Sequence, residues 1–249
     1  MLLLFDIGNT HTHLGLADEA RVVKQTNIPT LAWFKGGVAA LVKRFVGRNK
    51  LEGAAVASVV PRATPHARKM VHGAWQLKLM ELTAKTTRGV GIDYPNPKTI
   101  GPDRLANSVA AFKQVGAPVA VVDFGTALTF DVVDEKGNYV GGIIAPGLAA
   151  MTEYLHEKTA LLPRIKITEP KNVIGKSTEQ AMLAGAVFGY RGLVRELIHE
   201  LKREMKIPHL QVVATGGYAE LMAAGLPEIS SVEPNLTLEG LRLVWQANR

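Results

Sequence analysis

The chain repeats itself once, and that repeat limits its fold more than any other feature of the sequence. The segment Leu3-Leu4-Phe5-Asp6-Ile7-Gly8-Asn9-Thr10 aligns with Ala120-Val121-Val122-Asp123-Phe124-Gly125-Thr126-Ala127, the two aspartates at 6 and 123 standing 117 positions apart. In each copy an apolar run closes on Asp-x-Gly and continues into an alternating stretch, residues 12–16 in one and 128–133 in the other. A turn follows, Ala17-Asp18-Glu19 in the first copy and residues 134–138 in the second, where a third strand is expected over 140–144. Short apolar runs read as buried strands, alternation as half-exposed strands, and acidic or Gly-Asn clusters as turns. One hairpin-rich unit used twice implies two related lobes. The length of 249 residues agrees, at ~150 residues per domain. The expected lobes are 1–115 and 116–249, each with its own phosphate-facing turn.

Both halves read as α/β. Residues 30–47 carry a helical pattern, 54–60 an apolar strand run ending at Pro61, 63–74 a second helix and 77–82 a short strand. Residues 84–100, rich in Gly, Pro, Asn and Thr, read as a loop. Gly101-Pro102-Asp103-Arg104 then opens a helix: proline suits the first helical position, and Leu105, Val109 and Phe112 recur at i, i+4 and i+7. The longest helix starts near Thr178, with a sustained apolar face over 182–201. Ala181, Gly185, Gly189 and Gly192 add a stripe of small residues, expected to pack closely against another backbone inside the fold. Residues 211–214 form a strand leading into Thr215-Gly216-Gly217, and 236–245 close the chain as a helix.

Composition narrows the chemistry. A chain 47% hydrophobic and 20% charged is neither disordered nor fibrous. With no cysteine it has no disulfide framework, thiolate zinc site, iron–sulfur cluster or thiol nucleophile. Leu2-Leu3-Leu4-Phe5 is short, lacks a basic leader and runs into Asp6, so it reads as a buried strand rather than a signal peptide. No run reaches the ~18 apolar residues of a spanning helix, and a cytoplasmic protein without a membrane partner is expected. The net charge of +7 is spread thinly and has no interleaved aromatic pattern to stack bases. It fits solvated helix faces and an anionic small substrate, and no nucleic acid is expected.

The two Asp-x-Gly turns carry the chemistry. Glycine lets backbone approach a phosphate, the following N–H and hydroxyl groups can donate to its oxygens, and a strand-end carboxylate can hold Mg²⁺. One such turn is an ordinary hairpin. Two, each with a Thr within two residues of the Gly, point to paired phosphate-facing turns that facing lobes would bring to one cleft. Thr215-Gly216-Gly217 fits a loop lying against a nucleotide. Other motifs fail. Gly175-Lys176-Ser177-Thr178 looks like the tail of a P-loop, but Pro170 stands where that motif needs Gly. His11 and His13 share one strand face without a third metal ligand, and read as exposed hairpin histidines. His156 and Glu157 complete no triad, and Ser58 lacks a Gly-x-Ser-x-Gly elbow.

The double Asp-x-Gly turn with a later Thr-Gly-Gly resembles the actin, sugar-kinase and heat-shock ATPase superfamily, which implies two duplicated ribonuclease-H-like lobes with mixed sheets flanked by helices. In detail the chain resembles the type III pantothenate kinases, or Bvg accessory factor family. The matching elements are Asp6-Ile7-Gly8-Asn9-Thr10, Ser58-Val59-Val60-Pro61, Tyr94-Pro95-Asn96-Pro97 and Gly101-Pro102-Asp103-Arg104. After them come Asp123-Phe124-Gly125-Thr126-Ala127-Leu128-Thr129, Gly141-Gly142-Ile143-Ile144-Ala145-Pro146-Gly147 and Gly175-Lys176-Ser177-Thr178. Thr215-Gly216-Gly217 and Leu236-Thr237-Leu238-Glu239-Gly240-Leu241 complete a set spanning nearly the whole chain. The family usually has Ala where Pro102 stands.

The resemblance implies ATP-dependent phosphorylation of the pantothenate hydroxyl to 4'-phosphopantothenate, the first step of coenzyme A synthesis. Asp103 would accept the hydroxyl proton. Tyr94, Gly101, Pro102, Asp103 and Arg104 would hold pantothenate, with Thr178 reaching it from the other lobe. Asp6, Ile7, Gly8, Asn9, Thr10, His11, Thr12, His13 and Thr126 would bind ATP. Asp123 would hold a monovalent cation (K⁺ or NH₄⁺), and Asp6 would hold Mg²⁺, directly or through water. A homodimer is implied, with the long helix contributing to its interface. Phosphoryl transfer rests on positioning and charge neutralisation, so this set suffices. Asp103 falls in the first turn of a helix, whose dipole favours the carboxylate, so a pKa near or below the ordinary ~3.9 is expected. Two other readings stand beside the kinase. A non-catalytic regulatory factor on the same fold would have no need of Asp6, Asp103 and Asp123 together. An actin- or chaperone-type binding module would need inserted subdomains for which the second half is too short.

Overall fold

Leu2-Leu3-Leu4-Phe5 offers apolar side chains to both sides of a strand, because successive residues point to opposite faces. Such a strand is stable only when both faces are covered. In the computed structural model, which describes residues 1–249, β1 (Leu2–Ile7) is covered in this way. β2 (His11–Ala17) and β3 (Val22–Pro29) follow, then α1 (Ala32–Lys35), α2 (Val38–Val46), β4 (Gly53–Ser58), α3 (Thr64–Trp75) and β5 (Leu79–Glu81). β6 (Gly91–Ile92) and α4 (Pro102–Val115) come next. The second hairpin unit is β7 (Val119–Phe124), β8 (Ala127–Val133) and β9 (Asn138–Pro146). The chain ends with α5 (Leu148–Lys158), α6 (Thr178–Met205), β10 (Gln211–Thr215), α7 (Ala219–Ala223), β11 (Ser231–Val232) and α8 (Leu236–Ala247).

The first sheet has the order β3-β2-β1-β4-β5, with β1 antiparallel to β2 and parallel to β4. Leu3, Phe5 and Ile7 pack with Val42, Phe45 and Val71 of α2 and α3. Leu2 and Leu4 pack with Leu105 and Val109 of α4 and Leu238 and Leu241 of α8. The second sheet has the order β11-β10-β7-β8-β9-β6, with β7 parallel to β10. Apart from β6, the strand order of the first sheet returns in the second, with β7 in the place of β1. The two strands share one length and one pattern of burial, so the duplication legible in the sequence is a duplication of topology. Only the turn differs: residues 8–10 in the first copy, 125–126 in the second.

Several expectations need correction. The helix expected over 30–47 is two, because Gly36 and Gly37 both adopt positive φ (82° and 83°) and end one helix before the next. The segment 84–100 holds β6 and a short 3-10 turn at Pro97–Thr99. The chain also does not divide once at 115/116. One compact unit comprises Met1–Ala117, Val133–Gly141 and Asn235–Arg249; the other comprises Pro118–Val132 and Gly142–Pro234. α8 therefore belongs with the first unit: its Leu238 side chain lies against Gly15 of β2, and Thr237 Oγ1 donates to Asn107 Oδ1 of α4 at 2.7 Å. No helix is long and apolar enough to cross a membrane.

Candidate active site

In the first unit the Asp6 turn is held from behind by a buried polar lattice. The Gly8 N–H donates to His11 O (3.0 Å), and Thr30 Oγ1 donates to Gly8 O (2.6 Å). Thr30 Oγ1 also meets Thr12 Oγ1 at 3.0 Å, and Trp33 Nε1 donates to Thr12 Oγ1 at 3.0 Å. The side chains of Ile7 and Thr12 are thus buried in the fold, while Asn9, Thr10 and His11 are exposed. Asp6 stands cross-strand from His13, and His13 from Asn27. His13 Nδ1 lies 2.7 Å from Asn27 Oδ1. Burial pushes the His13 pKa down; the Asn27 contact partly opposes this, and the charge of His11 adds to it. His13 is therefore a half-buried, anchored imidazole and not the exposed hairpin histidine expected.

The segment 94–104 lies in the same unit. Pro102 opens α4 behind Gly101, with Asp103 in the first turn. Asp103 Oδ1 accepts the Arg104 N–H at 2.9 Å, and Gly101 approaches that oxygen so closely that a side chain there would have to push the carboxylate aside. Burial raises the Asp103 pKa above the ordinary carboxylate value, outweighing the Arg104 N–H and the Arg104 charge. The expectation of an unusually weak base is thereby overturned, because the helix dipole acts on a carboxyl that has lost much of its water. The Tyr94 ring meets Tyr139 edge-on at 5.9 Å, and the Arg104 guanidinium stands 5.8 Å from the Tyr139 ring centre.

In the second unit, Asp123 pairs in register with Thr215. Gly216 follows at φ +93°, and a methyl there would fall 2.5 Å from Asp123 Oδ1 and 2.7 Å from the Phe124 backbone. Only glycine serves at this position, and the Thr-Gly-Gly loop lies directly against the Asp123 turn. Gly147 packs on the Gly125 and Thr126 backbone with equal closeness, leaving Thr126 exposed. Tyr190 OH donates to Pro146 O at 2.9 Å, and burial holds its phenol protonated well above the usual range. Thr178 is the first residue of α6, exposed and capped by Ser177, whose Oγ accepts the Gln180 N–H. The predicted residues thus form two groups: 6–13 with 94–104 in the first unit, and Asp123, Thr126, Thr178 and 215–217 in the second.

Gly185, Gly189 and Gly192 are exposed and face nothing within 4 Å, so of the small-residue stripe Ala181 has a close backbone neighbour, Gly175, and these three glycines have none. A concavity of about 510 Å³ at the far end of α4, lined by Val109, Phe112 and Leu243 among others, contains none of the predicted residues. The sequence reading missed Asn27, Thr30, Trp33 and Tyr139. Their only signal was polar or aromatic character within strand-like or helical runs.

A family model for type III pantothenate kinases matches residues 2–200 of this chain. A type III pantothenate kinase of Akkermansia muciniphila is 44% identical over 248 residues, covering 99% of this chain and 98% of its own. Among solved structures, one described as a Baf family transcriptional activator from Campylobacter jejuni aligns with a TM-score of 0.62 at 18% identity, covering 99% of this chain and 98% of that one. The inorganic polyphosphate/ATP-glucomannokinase of an Arthrobacter strain aligns with a TM-score of 0.53 at 13% identity, covering 100% and 99%. At such identities the structures speak for the fold alone, the duplicated α/β lobes of the sugar-kinase and actin-like ATPases.

Proposed function

Because this chain belongs to the type III pantothenate kinases, we propose a division of labour among its residues in phosphorylating pantothenate at the entry to coenzyme A synthesis. Asp103 takes the proton as the hydroxyl oxygen bonds to the γ-phosphorus and the bond to the ADP oxygen breaks. The observation that carries this role is the place of Asp103 in the first turn of α4, its Oδ1 held by the Arg104 N–H and its pKa raised by burial above the ordinary carboxylate value; a positioned base contributes ~10²–10⁴-fold. The Arg104 guanidinium pairs with the pantothenate carboxylate, a charge-assisted contact. Tyr94, Gly101 and Pro102 line the same substrate, and the Thr178 hydroxyl donates to it.

The exposed N–H and hydroxyl groups of the Asp6–His13 turn, held by the Thr12, Thr30 and Trp33 lattice, meet the ATP phosphates, with Thr126 from the other unit's turn. The carboxylate and bare glycine backbone around Asp123 form a cradle that one methyl would fill, which suits a monovalent cation. No three acidic or imidazole side chains gather, so Mg²⁺ fits as an ion held by one carboxylate, Asp6, and phosphate oxygens. When bound, the ions supply charge neutralisation on those oxygens. The exposed stripe of α6 supports a homodimer, and membership of a small-molecule kinase family supports the cytoplasm as the place of action.

The test is purified protein with ATP, Mg²⁺ and pantothenate, with K⁺ exchanged for Na⁺. Phosphopantothenate that forms in K⁺ and falls away in Na⁺ is expected. No product under any condition would refute the assignment. Gly189→Trp should shift sedimentation toward the monomer, and unchanged sedimentation would remove α6 from the interface.

A further inference from the structure

Tyr139 lies outside every motif, yet the pantothenate segment is organised around it. It sits on β9, 1% exposed, in the core that also holds Leu105 and Val109 of α4. Its backbone pairs with Ile92 of β6, and its carbonyl accepts the Asp93 N–H at 3.0 Å. Its ring meets Tyr94 edge-on, and the Arg104 guanidinium lies over it. One residue therefore ties down both the start and the end of the segment. Two positions along β9, on the same face, Gly141 lies beside the Tyr94 ring, within ordinary van der Waals reach of where a methyl would stand.

We propose that Tyr139 is a positioning residue for pantothenate, acting through Arg104 and Tyr94. This rests on the reading of 94–104 as the pantothenate segment. An arginine side chain gives up much rotamer freedom when it binds a carboxylate. A guanidinium already held over a desolvated aromatic face has given up part of it beforehand, and binding is tighter for that reason. It is the ring face that holds the guanidinium, so phenylalanine should keep that hold.

The test compares wild type, Tyr139→Phe and Tyr139→Leu in steady-state kinetics with ATP and pantothenate varied separately. Tyr139→Leu should raise the pantothenate KM about 5–30-fold, the worth of a desolvated cation–π contact. Its kcat and ATP KM should stay within about twofold, and Tyr139→Phe should restore the pantothenate KM. Should Tyr139→Leu fail to fold, ring-fluorinated phenylalanines at 139 weaken the negative face at nearly constant shape. The pantothenate KM should then climb with each fluorine. A flat series, or KM values rising equally for both substrates, overturns the inference while an active wild type leaves the kinase reading intact. A wild type that makes no phosphopantothenate overturns both.

Discussion

Gly240→Ala tests whether the seam between α4 and α8 sets the position of Asp103. A Cβ at 240 would lie 2.5 Å from the Ala106 carbonyl carbon and closer still to its oxygen, where ordinary contact begins at 3.4 Å. The obstacle is helix backbone, which cannot rotate aside, and the oxygen is the nearer atom, so the two helices must part by more than about 1 Å. A gap of that size forfeits about half of each contact's dispersion well. Overpacking against backbone belongs at the upper end of its range, ~3 kcal/mol. The better helix propensity of alanine returns ~1 kcal/mol. The net loss of about 2 kcal/mol lowers the melting temperature by about 4–8 °C for a chain of this size. Ala106 is one helical turn beyond Asp103, so the shift reaches the base, and a displacement near 1 Å can cost ~10²-fold in rate. Gly73→Ala is the control, since Gly73 sits within α3 with nothing within 4 Å, and that variant should gain about 0.5–1 kcal/mol at unchanged kcat. Melts and initial rates on the two variants side by side decide the matter. A Gly240→Ala protein that melts with wild type and turns over normally would show that the seam has no bearing on catalysis.

Asp103→Asn should lose about 10²–10⁴ of kcat and yet melt higher than wild type at pH 7. A carboxyl with a raised folded pKa binds its proton more tightly folded than unfolded, so its ionisation costs stability above that pKa. The difference in melting temperature should shrink as the pH falls toward the ordinary 3.8, and a lower melting temperature at neutral pH would contradict the burial argument. Thr30→Val removes the hydroxyl that donates to Gly8 O; loss of one hydrogen bond predicts an ATP KM about fivefold higher with the pantothenate KM unchanged, checked by the same kinetics. Arg191, 6% exposed, donates to Glu169 at 2.9 and 2.7 Å and to the Met222 carbonyl at 3.3 Å. Arg191→Met should therefore cost about 2–3 kcal/mol in urea denaturation, and Glu169→Gln under ~1, because that carboxylate is half exposed.

The strands of the duplicated hairpins were legible because their burial is written in consecutive residues: Leu2-Leu3-Leu4-Phe5 admits one interpretation. The start of α4 was legible from Pro102 and the i, i+4, i+7 pattern. What escaped depends on contacts distant in the chain. The raised pKa of Asp103 comes from its surroundings, whereas sequence shows only the helix end. β6 is two residues long and exists through pairing with Asn138 and Tyr139, and no periodicity can reveal so short a strand. α5 went unnoticed because Leu148 and Thr152 are its only buried residues. The Gly185, Gly189 and Gly192 stripe spells close packing in the sequence, but nothing of this chain lies within 4 Å of those positions.

The membership of α8 in the first unit has a consequence for how the protein comes into being on the ribosome. β1 is made long before α8, and the face of that sheet bearing Leu2, Leu4, Ala55 and Ala57 stays uncovered on one flank until Leu238, Leu241 and Val244 emerge. Residues 118–234, most of them the second unit, are made in the interval, which at ~5–20 residues per second lasts about 6–23 s. The lobe that is born first is thus completed last. During that wait the nascent chain displays a bare apolar face, and a message broken off before α8 leaves an orphaned sheet in place of a slightly shorter enzyme.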